Sequence, residues 1–477
     1  MSRINTNVAA LIAQQGLATS QGQLSTALQR LSTGLRINTG ADDPAGLIAS
    51  EGLQAQIQGI NAAIGNSQLA SNVISTADGA LGEVSSLLQN VEGLVVQAAN
   101  SGAMSSDEIN ANQLEIDSAV QSITRISSNT SFAGLHLLDG SLDYVTSGVA
   151  NSAITSLDIS SANFGTATNV PVQLNVITSA RQADLQFRAS SLTSSVTLTV
   201  AGNDGTQTLS FASGTTASAI AFAINGISDS TGVSAKLINS ANAASGLEFT
   251  STGYGSSQFV SVTSQTSNFA TTDDNGNAQT RTTGRDAVAT VNGAVTVGNG
   301  LDLHVNTASL NMDLTLNQNF GQNKTSFVIT GGGAKFQLGA EVNSAEQESI
   351  GIQSVAASQL GDSNIGYLSD LVTGGKASIA GGNAAAASQI VQEAINQVAV
   401  LRGKLGAFES NTLDTNADSL NVALENVTSA ESTIADADFA QETSNLTRAQ
   451  ILEQAGTSVL ATANSTPQNI LTLLQGH

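Results

Sequence analysis

Both ends of this chain carry apolar residues at heptad-like spacing, and the middle does not, which limits the folds open to it. Near the N-terminus Leu24, Leu28, Leu31 and Leu35 recur at intervals of 4, 3 and 4. Near the C-terminus Ala449, Leu452, Gly456, Val459 and Ala463 recur at 3, 4, 3 and 4. Such spacing lines side chains along one stripe of a helix, and the stripe has to be covered. A lone helix of this composition is marginal in water, so each of these helices needs a partner surface. Two terminal stripes on one chain predict that the ends pair with each other. Ile451, Ala455 and Leu460 widen the C-terminal stripe beyond a single contact and call for a second neighbour. That neighbour is another copy, and repeated non-closing contacts between copies build a filament or tube.

The N-terminal stripe runs into LSTGLRINTGADDPAG. There Asp43 suits an N-cap, because its carboxylate can accept free backbone N–H groups, and Pro44 suits a first helical turn. One helix therefore ends and another begins, with a joint at Gly40, Asp42, Asp43 and Pro44. Apolar spacing resumes through Ile57, Ile60 and Ile64 and again from Val84 to Val95, and after Gly102 it places Ile116, Ala119, Val120, Ile123 and Ile126 on one face. Beyond Asn383, Ile390, Ala394, Val398, Leu401, Leu405 and Phe408 form a further seam, followed by Leu420, Leu424, Val427 and Ile434. A last helix is expected from Phe439 to Ala463, with Asp436 and Asp438 at i, i+2 on a helix. Between about 141 and 375 the period becomes two: Val196, Leu198 and Val200 alternate, Asn203, Asp204 and Gly205 form a hairpin turn signal, and Leu209 and Phe211 alternate again. A short helix over 217–227 and a strand through Val233, Ala235 and Leu237 complete a β-β-α-β unit. The fold class is α+β, with long coiled-coil-like helices formed by both chain ends and a β-rich inserted middle region.

Composition removes several functions. The formal charge is -22, with only 15 Lys and Arg and no basic patch, which speaks against a nucleic-acid partner. Zero Cys removes disulfides, thiolate nucleophiles and Cys-held metal. Charged residues are 11%, so the surface is mostly Ser, Thr, Asn and Gln. MSRINTNVAALIAQQG breaks its apolar residues with Asn7, Gln14 and Gln15, unlike a cleaved signal peptide, and no apolar run is long enough to span a membrane. His136, His304 and His477 have no metal-ligand spacing, and GxSxG, HExxH and CxxC are missing. Gly374, Gly375 and Lys376 fail the phosphate-loop pattern, whose first Gly would fall on Asp370. No catalytic residue, metal site or cofactor is expected, and scattered Asp and Asn in the β region leave only weak calcium binding open.

Three strings near the N-terminus, MSRINTNVAAL, LQRLSTGLRINTGADDPAGLIAS and LLQNVEGLVVQAAN, together with SAESTIADADFAQETSNLTRAQILEQAGTSVLATANSTPQNILTLL near the C-terminus, resemble bacterial flagellin. The resemblance covers about the first 140 and the last 100 residues. It implies a structural subunit that polymerises through its terminal helices into the flagellar filament for swimming motility. Residues 1–43 and 437–477 would form an inner tube, 44–140 and 376–436 a surrounding rod domain, and 141–375 an outward-projecting variable region. The joint would be the spoke between tube and rod. Residues 196–237 resemble the flagellin hook IN motif. The family further implies secretion to the cell exterior by a type III export route, a flagellar export chaperone at the C-terminal helix, and hook-associated junction and cap proteins as partners. Family contacts with an innate receptor, Toll-like receptor 5, map to Gln89, Asn90, Leu94 and Glu115. Asn90 replaces the usual Arg there, and losing a charge-assisted contact of about 1.5–3 kcal/mol weakens binding roughly ten- to hundred-fold. Leu94 reads equally well as a rod-core residue.

Two other readings compete. A flagellin-like junction protein between hook and filament shares the terminal helices but stops after a short zone. A secreted β-rich adhesin fits the Ser, Thr, Gly and Asn content, yet it predicts a signal peptide and no paired ends. An enzyme is disfavoured by the missing His and Glu cluster.

Overall fold

The computed structural model describes residues 6–100, 102–242, 245–265 and 269–475, with side chains up to 466; His477 lies outside them. Its helices are α1 (Val8–Thr33), α2 (Pro44–Ala99), α3 (Ser106–Asn129), α4 (Ala217–Asn225), α5 (Ser228–Thr231), α6 (Ala384–Phe408), α7 (Thr415–Ala435) and α8 (Phe439–Gln475). The strands are β1 (Ser131–Phe132), β2 (Leu135–His136), β3 (Tyr144–Ser147), β4 (Ile154–Ala162), β5 (Val170–Thr178), β6 (Asp184–Phe187), β7 (Val196–Ala201), β8 (Thr206–Phe211), β9 (Val233–Leu237), β10 (Leu247–Ser251) and β11 (Phe259–Ser264). They continue with β12 (Arg281–Thr283), β13 (Val288–Val291), β14 (Ala294–Val297), β15 (Asp302–Thr307), β16 (Leu310–Leu316), β17 (Lys324–Gly332), β18 (Ala334–Gln337), β19 (Gln347–Ile350), β20 (Gly361–Asp362) and β21 (Gly366–Tyr367). Long helices thus lie at both ends of the chain around a β-rich middle. The chain divides into one unit of Met1–Gln68, Leu338–Val342 and Asp414–His477, and a second of Leu69–Gln337 and Asn343–Leu413.

In the first unit α1 lies along α8, and the start of α2 is tied to α7 by Glu431, whose Oε1 accepts from Ser50 Oγ (3.1 Å) and Gln54 Nε2 (3.0 Å). Residues 338–342 rest on the same helices, with Asn416 Nδ2 donating to the Leu338 carbonyl at 2.9 Å.

In the second unit α6 runs antiparallel to the later part of α2. Arg402 Nε donates to Asp78 Oδ1 (2.8 Å), Ser388 Oγ to Glu92 Oε1 (2.9 Å), and Ser71 Oγ to Glu409 Oε1 (2.5 Å), which fixes the register. The apolar stripes read from the sequence supply the buried side chains: Val84, Leu88 and Val91 of α2, Ile116 and Ile123 of α3, and Ile390, Val398 and Leu405 of α6. Helix α3 starts with a capping box, because Ser105 and Glu108 each bond the other's backbone N–H. Gln113 is buried and anchors α3 by donating to the Leu371 carbonyl (2.7 Å) and accepting from Ser378 Oγ (2.8 Å).

Two β cores follow. The sheet β14-β13-β5-β17-β3 and the sheet β15-β16-β4 share one, built on Val172, Leu174, Met312, Leu314 and Ile329. The sheets β12-β11-β7-β8 and β6-β10-β9 share the other with α4, built on Leu198, Val200, Ile220, Phe249 and Val260. The alternation at Val196, Leu198 and Val200 buries all three, as a half-covered strand requires. The hairpin expected at 203–205 joins β7 to β8. The helix expected over 217–227 ends sooner, at Asn225, because Gly226 caps it and the short α5 follows. Lys404 of α6 links helix to sheet, pairing with Asp158 of β4 and lying 3.5 Å from Asp313 Oδ2 of β16.

Asp436 and Asp438 do not share a helix, contrary to expectation. Helix α7 stops at Ala435, Asp436 forms a β-bridge with Leu35, and Asp438 Oδ1 caps α8 by accepting from the N–H of Ala440 (2.9 Å) and Gln441 (3.1 Å). A short acidic side chain competes well for free N–H groups at a helix start, which makes this position a boundary.

Candidate assembly interface

The joint is built from backbone as much as side chains. Helix α1 ends where Gly34 turns left-handed (φ 75°) and donates its N–H to the Arg30 carbonyl. The next residues pair with the break between α7 and α8: Arg36 N–H donates to Ala435 (2.7 Å) and Ala437 N–H to Gly34 (2.9 Å), with Leu35 opposite Asp436. The Arg36 guanidinium adds two bonds to the Ile434 carbonyl, at 3.2 and 2.6 Å. Two helix breaks far apart in sequence thus meet as one miniature ladder.

Asp42 then closes the loop. Its Oδ2 accepts from the N–H groups of Thr39 (2.8 Å) and Asn38 (3.2 Å) and from Thr39 Oγ1 (2.9 Å). These bonds, the Thr39 backbone first, hold its carboxyl below the ordinary value of 3.8. Asp43 Oδ1 accepts from Gly46 N–H at 2.9 Å, so it caps α2, and Pro44 is the first residue of that helix. Gly40 sits in the connecting turn. A Cβ on Gly46 would lie 2.6 Å from both Asp43 Oδ2 and Ile37 Cδ1, so any side chain there would have to displace the cap and the buried Ile37.

Beyond the joint, α1 and α8 form a pair whose register differs from the expected one. On α1 a covered or half-covered row of Ala13, Leu17, Ser20, Leu24, Ala27 and Leu31 recurs at spacings of 4, 3, 4, 3 and 4, with Ala10 and Arg30 half-covered beside it. Leu28 is 51% exposed, and Leu35 lies past the helix end. On α8 the matching positions are Glu442, Leu446, Ala449, Glu453, Gly456, Leu460 and Ala463. Ala449 is buried, Gly456 faces Leu17, and the Ala463 carbonyl accepts from Asn7 Nδ2 at 2.8 Å. Leu452 and Val459 face outward, 44% and 57% exposed. Seven residues fall only about 20° short of two turns, so 449, 456 and 463 stay in line, whereas a step of three swings Leu452 and Val459 about 60° aside.

Sequence reasoning missed Ala13, Ser20 and Ala27 because small residues carry little hydrophobic signal, although their interval of seven was there to count. It also missed the ion pair at the joint end of the seam, Arg30 Nη1 to Glu442 Oε1 at 3.0 Å, with the Glu442 side chain 9% exposed. A buried pair of this kind fixes which helix faces meet more than it adds net stability.

With that seam closed, large apolar side chains away from it are left bare. Val8, Leu11, Ile12 and Leu28 of α1 and Phe439, Ile451, Leu452 and Val459 of α8 are all exposed. Among the receptor positions, Gln89, Asn90 and Glu115 are exposed while Leu94 is 7% exposed within α2.

A chain whose ends join in one helical pair around a β-rich middle has the layout of a structural subunit. Comparison with known proteins gives the same answer. Residues 4–143 match the bacterial flagellin N-terminal helical region, 388–474 the bacterial flagellin C-terminal helical region, and 197–253 the flagellin hook IN motif. The hook IN match runs past the expected 237 to take in β10, which pairs with β9. Flagellin of Salmonella rubislaw is 31% identical over 504 residues, and B-type flagellin of Pseudomonas aeruginosa 32% over 506, each covering 99% of both chains. The flagellar junction protein of Legionella pneumophila is a structural neighbour at 11% identity, 81% of this chain, 99% of that chain and a TM-score of 0.28. The chain belongs to the flagellin family. It is a structural subunit of the bacterial flagellar filament and serves motility.

Proposed function

We propose that copies assemble through the bare face of the α1–α8 pair, so that 1–43 and 437–477 form an inner tube. Residues 44–140 and 376–436 then form the surrounding rod domain, and 141–375 project outward. The observation that supports this most is the exposure of Ile451, Leu452 and Val459 on a helix that α1 already covers along a different stripe. Large apolar side chains grouped in this way mark an association surface. The paired helix breaks at 34–43 and 435–438 serve as the spoke from tube to rod.

The same face gives an export chaperone a place to bind α8 before assembly, as expected for a chain secreted by a type III route. Hook-associated junction and cap proteins, which would meet the filament at its two ends, fit the same exposed helices. For Toll-like receptor 5, Asn90 in place of Arg and the burial of Leu94 favour weak recognition.

Electron microscopy of the purified chain with filament seeds and a precipitating salt tests the proposal, beside a Leu452→Asp, Val459→Asp variant. Long tubes from the intact chain alone are expected. Normal tubes from the variant would remove this face from the interface.

A further inference from the structure

The β6-β10-β9 sheet carries a cluster that filament assembly does not use. Asp184, Glu248 and Asp274 place carboxylate oxygens within 4.8 Å of one another. Glu248 and Thr272 are the two direct cross-strand partners of Gln186, and Asp184 is two residues away from it along β6. Strand geometry therefore puts Asp184, Gln186, Glu248 and Thr272 on one face, opposite the buried Leu185 and Phe187. Gln186 Nε2 donates to Asp274 Oδ1 at 3.0 Å and draws Asp274 onto that face.

The oxygens of this group are poorly satisfied. Arg181 bonds Asp184 Oδ1 and reaches Asp274 Oδ2 at 2.7 Å, but Asp184 Oδ2, Gln186 Oε1 and Thr272 Oγ1 are all buried without a hydrogen-bond partner. Asp184 itself is only 6% exposed. Buried oxygens seldom go unpaired, because desolvating one costs about 1–3 kcal/mol. Here three of them converge on one face. Charge points the same way: Arg181 and Lys236, the latter 3.3 Å from Glu248, face three carboxylates.

We propose that Asp184, Glu248 and Asp274, with Gln186 Oε1 and Thr272 Oγ1, bind a hard divalent cation of the calcium type. All the donors are oxygen and none is His or Cys, which excludes the softer metals by ligand preference. Carboxylate, amide and hydroxyl oxygens from separate strands and a loop suit the flexible shell of calcium better than the strict octahedron of magnesium. The dissociation constant expected for such an extracellular-type site is of order 10⁻⁴ to 10⁻³ M. A bound ion would tie the 271–274 loop to β6 and β10.

Calorimetric titration of the full chain with calcium chloride tests this. Asp274 is 42% exposed at its side chain, so Asp274→Ala removes a ligand without opening the core. Glu248→Gln is the second variant, and circular dichroism checks that both remain folded. One calcium per chain is expected, with affinity falling at least about tenfold in each folded variant. No binding by the parent chain at ten times the expected dissociation constant would overturn the site, and so would binding that is unchanged in both variants.

Discussion

At Gly46 the absence of a side chain is what joins two elements. A methyl there meets both the capping carboxylate of Asp43 and the buried Ile37. Gly46→Ala is expected to cost about 1–2 kcal/mol, the range for losing a helix cap, and urea unfolding followed by helicity would measure it. An unchanged midpoint would show that Asp43 and Ile37 move aside freely. Asp42 gives the joint a pH dependence. Its carboxyl is held below 3.8, so its contribution is complete above that pH and disappears as pH falls through the lower folded value. The protection of the Thr39 amide from exchange, relative to its intrinsic rate, is therefore expected to hold at pH 5 and to be lost only well below pH 4, whereas in Asp42→Asn it is lost throughout. The capping role of Asp43 was legible in the sequence from the Asp-Pro pair alone. The Asp42 loop was not, because its bonds depend on how residues 38 and 39 turn back.

Between elements, the α1–α8 seam shows how far periodicity carries. That both helices exist, and that they pair, follows from the apolar spacing. Which residues face inward does not, since Leu28, Leu452 and Val459 are louder than Ala27, Ala449 and Gly456 yet lie outside the seam. Small residues are covered because they let the backbones come close, and the bulky ones remain for a different contact. Gly456 is looser than its position implies: a Cβ would meet Leu17 at 3.4 Å, an ordinary contact. Gly456→Ala should therefore raise the stability of the pair by about 0.5–1 kcal/mol through helix propensity. Ala449→Asp should do the reverse, because it forces a carboxylate into the covered face. Limited proteolysis of the chain ends separates the two, with faster cleavage expected for Ala449→Asp and slower for Gly456→Ala. The middle region was legible as β-rich with one β-β-α-β unit. Its sheet order was not, because strands such as β5 and β17 pair across about 150 residues and no local signal encodes that partnership.

For the whole molecule, one division of labour accounts for the layout. The inner faces of the terminal helices hold the chain's own ends together, and in the proposed assembly the outer faces hold copies together. The absence of cysteine from the sequence makes this directly measurable, because a single introduced thiol reports on one position. Val459→Cys places it on the bare face of α8, and Val342→Cys places a control at a residue 89% exposed. The measurement is the rate of thiol labelling at both positions in monomer and in assembled filament. Protection of position 459 on assembly, by at least about a hundredfold, with position 342 labelled at nearly its monomer rate, is the predicted result. Equal labelling of position 459 in monomer and filament would contradict it and place the contact between copies elsewhere on the chain.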